Sequence, residues 1–98
     1  MNIDELSILR EISKKENLNQ RKLAFDLGIS LGKINYCLKK LKERGLIKVV
    51  NFKANKNKLN YIYILTPKGV ARKTKAILNF MKTRIKEYDE LKEELNKY

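Results

Sequence analysis

Residues 20–38, Gln20-Arg21-Lys22-Leu23-Ala24-Phe25-Asp26-Leu27-Gly28-Ile29-Ser30-Leu31-Gly32-Lys33-Ile34-Asn35-Tyr36-Cys37-Leu38, decide the fold. Two helical patterns meet here across a single glycine. Asn19 can cap the first, in which Leu23, Ala24 and Leu27 share a face; Ser30 can cap the second, which carries Ile34, Cys37, Leu38 and Leu41 at helical spacing. Helices joined this tightly need a small residue where they touch and a residue free to take positive φ in the turn. Ala24 and Gly28, four apart, meet both needs. The spacing predicts a helix-turn-helix unit whose second helix covers about 30–44 and is closed by Gly45.

Working outward, Asn2 and Glu5 form a variant capping box ahead of Leu6, Ile8, Leu9 and Ile12, which predicts a helix over 3–15. Beyond Gly45 the pattern turns β-branched and aromatic, from Leu46 to Phe52 and again from Leu59 to Leu65. The Lys/Asn-rich piece from Asn51 to Lys58 reads as the tip of a hairpin covering about 46–65. Thr66-Pro67 then supplies an N-cap and an N1 proline for a helical pattern that meets no further proline before Tyr98. The expected class is mainly α with a small β-hairpin (α+β): a winged helix-turn-helix over 1–65, then a C-terminal helix over 66–98.

Ninety-eight residues suit one domain. Histidine is absent and Cys37 is the only cysteine, so zinc ligand sets and Ser-His or Cys-His nucleophile pairs cannot be assembled. The acidic run Glu87, Asp89, Glu90, Glu93 and Glu94 reads as a solvated helix face, and neither an enzyme nor a cofactor or metal is expected. Without a signal-like start or an apolar run near the ~20 residues that span a bilayer, the chain reads as cytoplasmic and off the membrane.

The formal charge is +12, from 23 basic and 11 acidic side chains, which favours polyanionic partners. It is not spread evenly: residues 1–18 carry a net −1, residues 19–65 +9 and residues 66–98 +4. The basicity therefore marks the second and third helices and the hairpin as a surface. On the third helix the positions not used for packing are Ser30, Gly32, Lys33, Asn35, Tyr36, Lys39 and Lys40. Free amides of a first helical turn suit phosphate, Asn35 suits a base edge, and lysines suit guanine edges or phosphates. With Gln20 and Arg21 on the preceding helix and Lys53, Lys56 and Lys58 at the hairpin tip, they form the expected DNA-binding set.

Thirty-three residues from Thr66 make a helix of ~50 Å, longer than a compact domain of this size can cover. Val70, Thr74, Ile77, Met81, Tyr88, Leu91, Leu95 and Tyr98 fall on alternating three- and four-residue steps, with Arg84 the one discordant position and a phase slip expected beside it; the contacts are expected from Val70, Ile77, Met81, Ile85, Tyr88, Leu91 and Leu95. These residues are the expected dimerisation stripe. Residues 66–86 hold 7 basic and no acidic side chains, whereas 87–98 hold 2 and 5, so an antiparallel pairing would bring opposite signs together.

The chain resembles the MarR-type winged-helix transcriptional regulators, and most closely their small exopolysaccharide-associated subgroup. The likeness rests on Gln20 to Ala24, Leu27 to Leu38, Asn51-Phe52-Lys53 and Leu65-Thr66-Pro67-Lys68-Gly69. It implies a homodimer on pseudo-palindromic double-stranded DNA, with helix 30–44 in the major groove and the hairpin as a wing on the minor groove and phosphates. Larger members add helices around a small-molecule pocket that this chain is too short to supply in full, so no effector is expected. The competing readings are a protein-interaction adaptor using the C-terminal coiled coil and an RNA-binding module.

Overall fold

A computed structural model describes residues 1–55 and 58–97, with the backbone alone for 52–55 and 58–60. Its elements are α1 (Ile3–Lys14), α2 (Gln20–Leu27), α3 (Leu31–Glu43), β1 (Ile47–Asn55), β2 (Lys58–Leu65) and α4 (Pro67–Asn96). Each helix starts where a side chain satisfies a free backbone amide, a contribution of about 1 kcal/mol per cap. Asn2 accepts from the Glu5 amide at 2.8 Å, Asn19 from Lys22 at 2.9 Å, Ser30 from Lys33 at 3.2 Å and Thr66 from Gly69 at 3.0 Å. Gly28 stops α2 with φ 64°, and the Ile29 amide turns back onto the Ala24 carbonyl at 3.1 Å.

The core is built by the first three helices and the start of β1. Ile8, Leu9, Leu23, Ile34 and Leu41 are wholly buried, joined by Ile12, Leu18, Cys37, Leu38, Leu46 and Ile47, with Ala24 and Leu27 packed against them. At about 1.5–3 kcal/mol for each large apolar side chain buried, this cluster is the main favourable term for the crossing of α2 and α3.

β1 and β2 pair antiparallel, with Ile47 opposite Leu65, Val49 opposite Tyr63 and Asn51 opposite Tyr61. The ladder continues to Lys53 opposite Leu59 and Asn55 opposite Lys58, with an irregularity between Lys53 and Asn55. The tip is therefore shorter than the expected 51–58. Main-chain hydrogen bonds extend a two-stranded ribbon regardless of side-chain polarity, so the Asn and Lys residues did not end it. A further bond from the Tyr63 amide to the Leu18 carbonyl, 3.2 Å, ties β2 to the α1–α2 connection.

Only Gly69 of α4 is fully buried. A Cβ there would run into the Leu46 carbonyl oxygen, so the helix leaves the domain with its backbone against the start of β1. The helix runs unbroken through all 30 of its residues, Pro67–Asn96, Arg84 included. The molecule measures 67 × 26 × 20 Å, and its radius of gyration, 17.2 Å, exceeds the ~13 Å of a compact chain this long.

Candidate nucleic-acid interface

Burying Ile34, Cys37, Leu38 and Leu41 turns the opposite side of α3 to solvent. Gly32, Tyr36 and Lys39, at four- and three-residue steps, lie along this outer side, with the Ser30 cap at its start; all four residues are exposed. The Lys40 ammonium lies 4.8 Å from the centre of the Tyr36 ring, and the Tyr36 hydroxyl raises its pKa, so the pair presents a fixed positive charge. Arg21 and Lys22 on α2 are exposed as well, and between them and Asp26 stands Phe25, 88% exposed, which sequence reading did not single out.

Two residues expected to face outward freely are engaged instead. Asn35 is half-buried, and its Oδ1 accepts from Gln20 Nε2 at 3.1 Å; the same amide nitrogen lies 3.3 Å from the Tyr63 hydroxyl. The structure thus joins Gln20, Asn35 and Tyr63 into one link between α2, α3 and β2. Lys33 is exposed but its Nζ lies 2.7 Å from Asp4, whose carboxylate raises the lysine pKa. The lysine remains charged with its charge partly neutralised. The Lys33 amide is also taken, by the Ser30 cap, so fewer first-turn amides are open to phosphate than an uncapped helix would offer.

α1 holds α3 at both ends. Besides Asp4 and Lys33, the buried Glu5, 4% exposed, accepts from Arg44 Nη1 at 3.2 Å and from Asn2 Nδ2 at 3.1 Å. Arg44 and Tyr63 were not expected in these roles, and their partners lie 39 and 43 residues away, beyond the reach of local patterns. Cys37 is buried, and that burial pushes its thiol pKa up, which suits packing and not redox chemistry.

Of the expected wing lysines, Lys56 lies outside the described residues, and the side chains of Lys53 and Lys58 do too. Along α4, Val70, Met81, Ile85, Tyr88, Leu91 and Leu95 are exposed, at 48–75%, and Ile77 is half-buried. Among the described residues no group of His, Cys, Asp or Glu could hold a metal ion, and no helix is long and apolar enough to cross a membrane.

Residues 3–48 match a family described as winged helix-turn-helix DNA-binding. Comparison with curated proteins gives no match. Among solved structures the chain is similar to Staphylococcus aureus MarR in complex with salicylate and kanamycin, at 24% identity and a TM-score of 0.72, covering 92% of this chain and 59% of that one. It is also similar to Lactococcus lactis ZitR, a zinc-responsive MarR family member, at 26% identity and a TM-score of 0.68, covering 93% and 60%. Bacillus subtilis PadR in complex with operator DNA follows at 22% identity and a TM-score of 0.68, covering 79% and 48%. The chain thus spans about three fifths of the length of MarR and ZitR.

Proposed function

Taking the chain as a winged helix-turn-helix protein with the fold of the MarR-type regulators, we propose that it regulates transcription by binding specific duplex DNA as a homodimer. One observation carries this reading: α3 buries Ile34 and Leu41 completely while Gly32, Tyr36 and Lys39 stand exposed on its other side, within the segment that holds most of the positive charge. A helix with one face locked in a core and the other small, aromatic and cationic suits the major groove. PadR, which has a similar fold, is in complex with operator DNA, and this supports duplex DNA as the partner.

In this reading the residues divide the work. Lys39, Lys40 and Arg21, with Lys53, Lys56 and Lys58 on the wing, neutralise phosphates and set register; Ser30, Gly32 and Tyr36 meet base edges. Asn35 has its carbonyl oxygen held by Gln20, so its Nδ2 is the atom left to donate to a base acceptor. Lys33 joins the interface by exchanging Asp4 for phosphate. Two copies would place their α3 helices ~34 Å apart along one side of the duplex.

The test is selection of genomic duplex fragments by the purified protein, followed by titration of a selected site against random DNA at several salt concentrations. A defined footprint with binding that falls steeply with salt supports the reading. Asn35→Ala should narrow the gap between selected and random DNA, while Lys39→Ala should weaken both and flatten the salt slope by about one phosphate contact. Absence of duplex binding in dilute buffer, or equal affinity for duplex RNA, overturns it.

A further inference from the structure

The link between Gln20, Asn35 and Tyr63 uses its two amides unequally. Gln20 Nε2 carries two hydrogens, and both are engaged: one with Asn35 Oδ1 at 3.1 Å, the other with the Tyr63 hydroxyl oxygen at 3.3 Å. Two polar atoms of the amide pair remain, the Asn35 Nδ2 donor and the Gln20 Oε1 acceptor. Neither has a partner among the described residues, where no buried side-chain nitrogen or oxygen is left unpaired, so both atoms open to solvent. Resting on the DNA-binding reading above, we propose that Gln20 and Asn35 read one adenine together, as a single composite amide held in place by Tyr63.

An asparagine or glutamine that reads adenine alone uses both atoms of one amide, an N–H toward N7 and the oxygen toward the N6 amine. Asn35 cannot do so while its oxygen is held by Gln20, and Gln20 cannot while both of its N–H groups are engaged. The link moves the acceptor from one amide to the other and still presents one donor and one acceptor. On a single base only adenine offers the complement in the major groove, since guanine has two acceptors, thymine one acceptor beside a methyl group and cytosine one donor. Rotating both amides together exchanges their roles, with the Tyr63 hydroxyl donating in place of accepting, and leaves the same complement.

The placement suits a groove contact. Asn35 stands three residues after Gly32 and four before Lys39, both exposed, so it flanks the outer side of α3. Gln20 opens α2 and, like Asn35, is half-buried: near enough to the core to be held, open enough to be reached. Tyr63 sits on β2 opposite Val49, and its amide is tied to the Leu18 carbonyl at 3.2 Å. Its hydroxyl therefore meets Gln20 from an anchored strand, which makes Tyr63 a positioning residue for the amide that holds Asn35. Two flexible side chains ordered in this way before binding have less freedom to lose when the base arrives.

The experiment takes a duplex selected by the full chain and replaces each adenine in turn by 7-deazaadenine, which lacks N7, and by purine, which lacks the N6 amine. At one adenine of the site either analogue should lower affinity about tenfold. Asn35→Ala and Gln20→Ala should each lose one of these two sensitivities. Tyr63→Phe should reduce both while the salt slope stays unchanged, a split that loss of folded protein would not give. A site with no adenine sensitive to both analogues, or one whose two sensitivities survive intact in both alanine variants, overturns this inference and leaves the functional reading standing. A chain that binds no duplex overturns that reading and the inference with it.

Discussion

The segment from α1 to α3 and the distal part of α4 are both helical and both carry apolar stripes, yet they meet opposite fates. In the first, Ile8, Leu9, Leu23, Ile34 and Leu41 lose all contact with solvent; in the second, every described residue from 81 to 97 is exposed. The short helices, of 8 to 13 residues, are at or below the length at which isolated helices hold together, and the crossing of three apolar faces sustains them. α4 reverses this. Its length and good helix formers carry it outward, and its stripe remains available to another molecule. One segment spends its hydrophobic surface inside the chain and the other offers it outside.

Substitutions that open the inner core sharpen this contrast most. Ile34→Ala should lower the free energy of unfolding by about 2–5 kcal/mol, read by urea titration, because the site is closed on all sides and cannot collapse freely. A loss below about 1 kcal/mol would show the crossing of α2 and α3 to be plastic and would break the comparison. Gly69→Ala tests the joint between the two regions. Its methyl group would press on the Leu46 carbonyl, so a loss of about 1–3 kcal/mol is expected from the same titration.

A smaller effect is expected where the wing meets the reading helix. Tyr63→Phe removes the hydroxyl beside Gln20 and should reduce stability by about 0.5–1.5 kcal/mol. Its sharper readout is specificity: with Gln20 loosened, discrimination between selected and random duplex should decrease. Unchanged discrimination would mean that Asn35 is held by Gln20 alone. The smallest effect belongs to the outer stripe. Leu91→Ala should alter unfolding of dilute protein by no more than about 0.5 kcal/mol, since the side chain is 61% exposed. At high concentration the same substitution should lower the melting temperature, and a concentration-independent result would show that the stripe joins nothing.

Local signals were read correctly where the physics is local. Asn2, Asn19, Ser30 and Thr66 cap the helices they were expected to cap, and Gly28 takes the positive φ that the turn requires. Leu23, Ile34, Cys37 and Leu41 face inward because a period of 3.6 residues leaves them no other common side. Composition was a poorer guide at the hairpin, where main-chain pairing outran the β-rich residues by several positions.

What periodicity along the chain determined was the order of elements, their start points, the inner face of each short helix and an apolar stripe on α4. What only the tertiary structure decided was which polar groups on α3 are already taken. Asn35 looks outward on a helical wheel, but Gln20 reaches it from fifteen residues away, and Asp4 reaches Lys33 from α1. Hydrogen bonds and ion pairs between elements depend on how those elements cross. That crossing is set by side chains interlocking in three dimensions, which no spacing along one strand of sequence records.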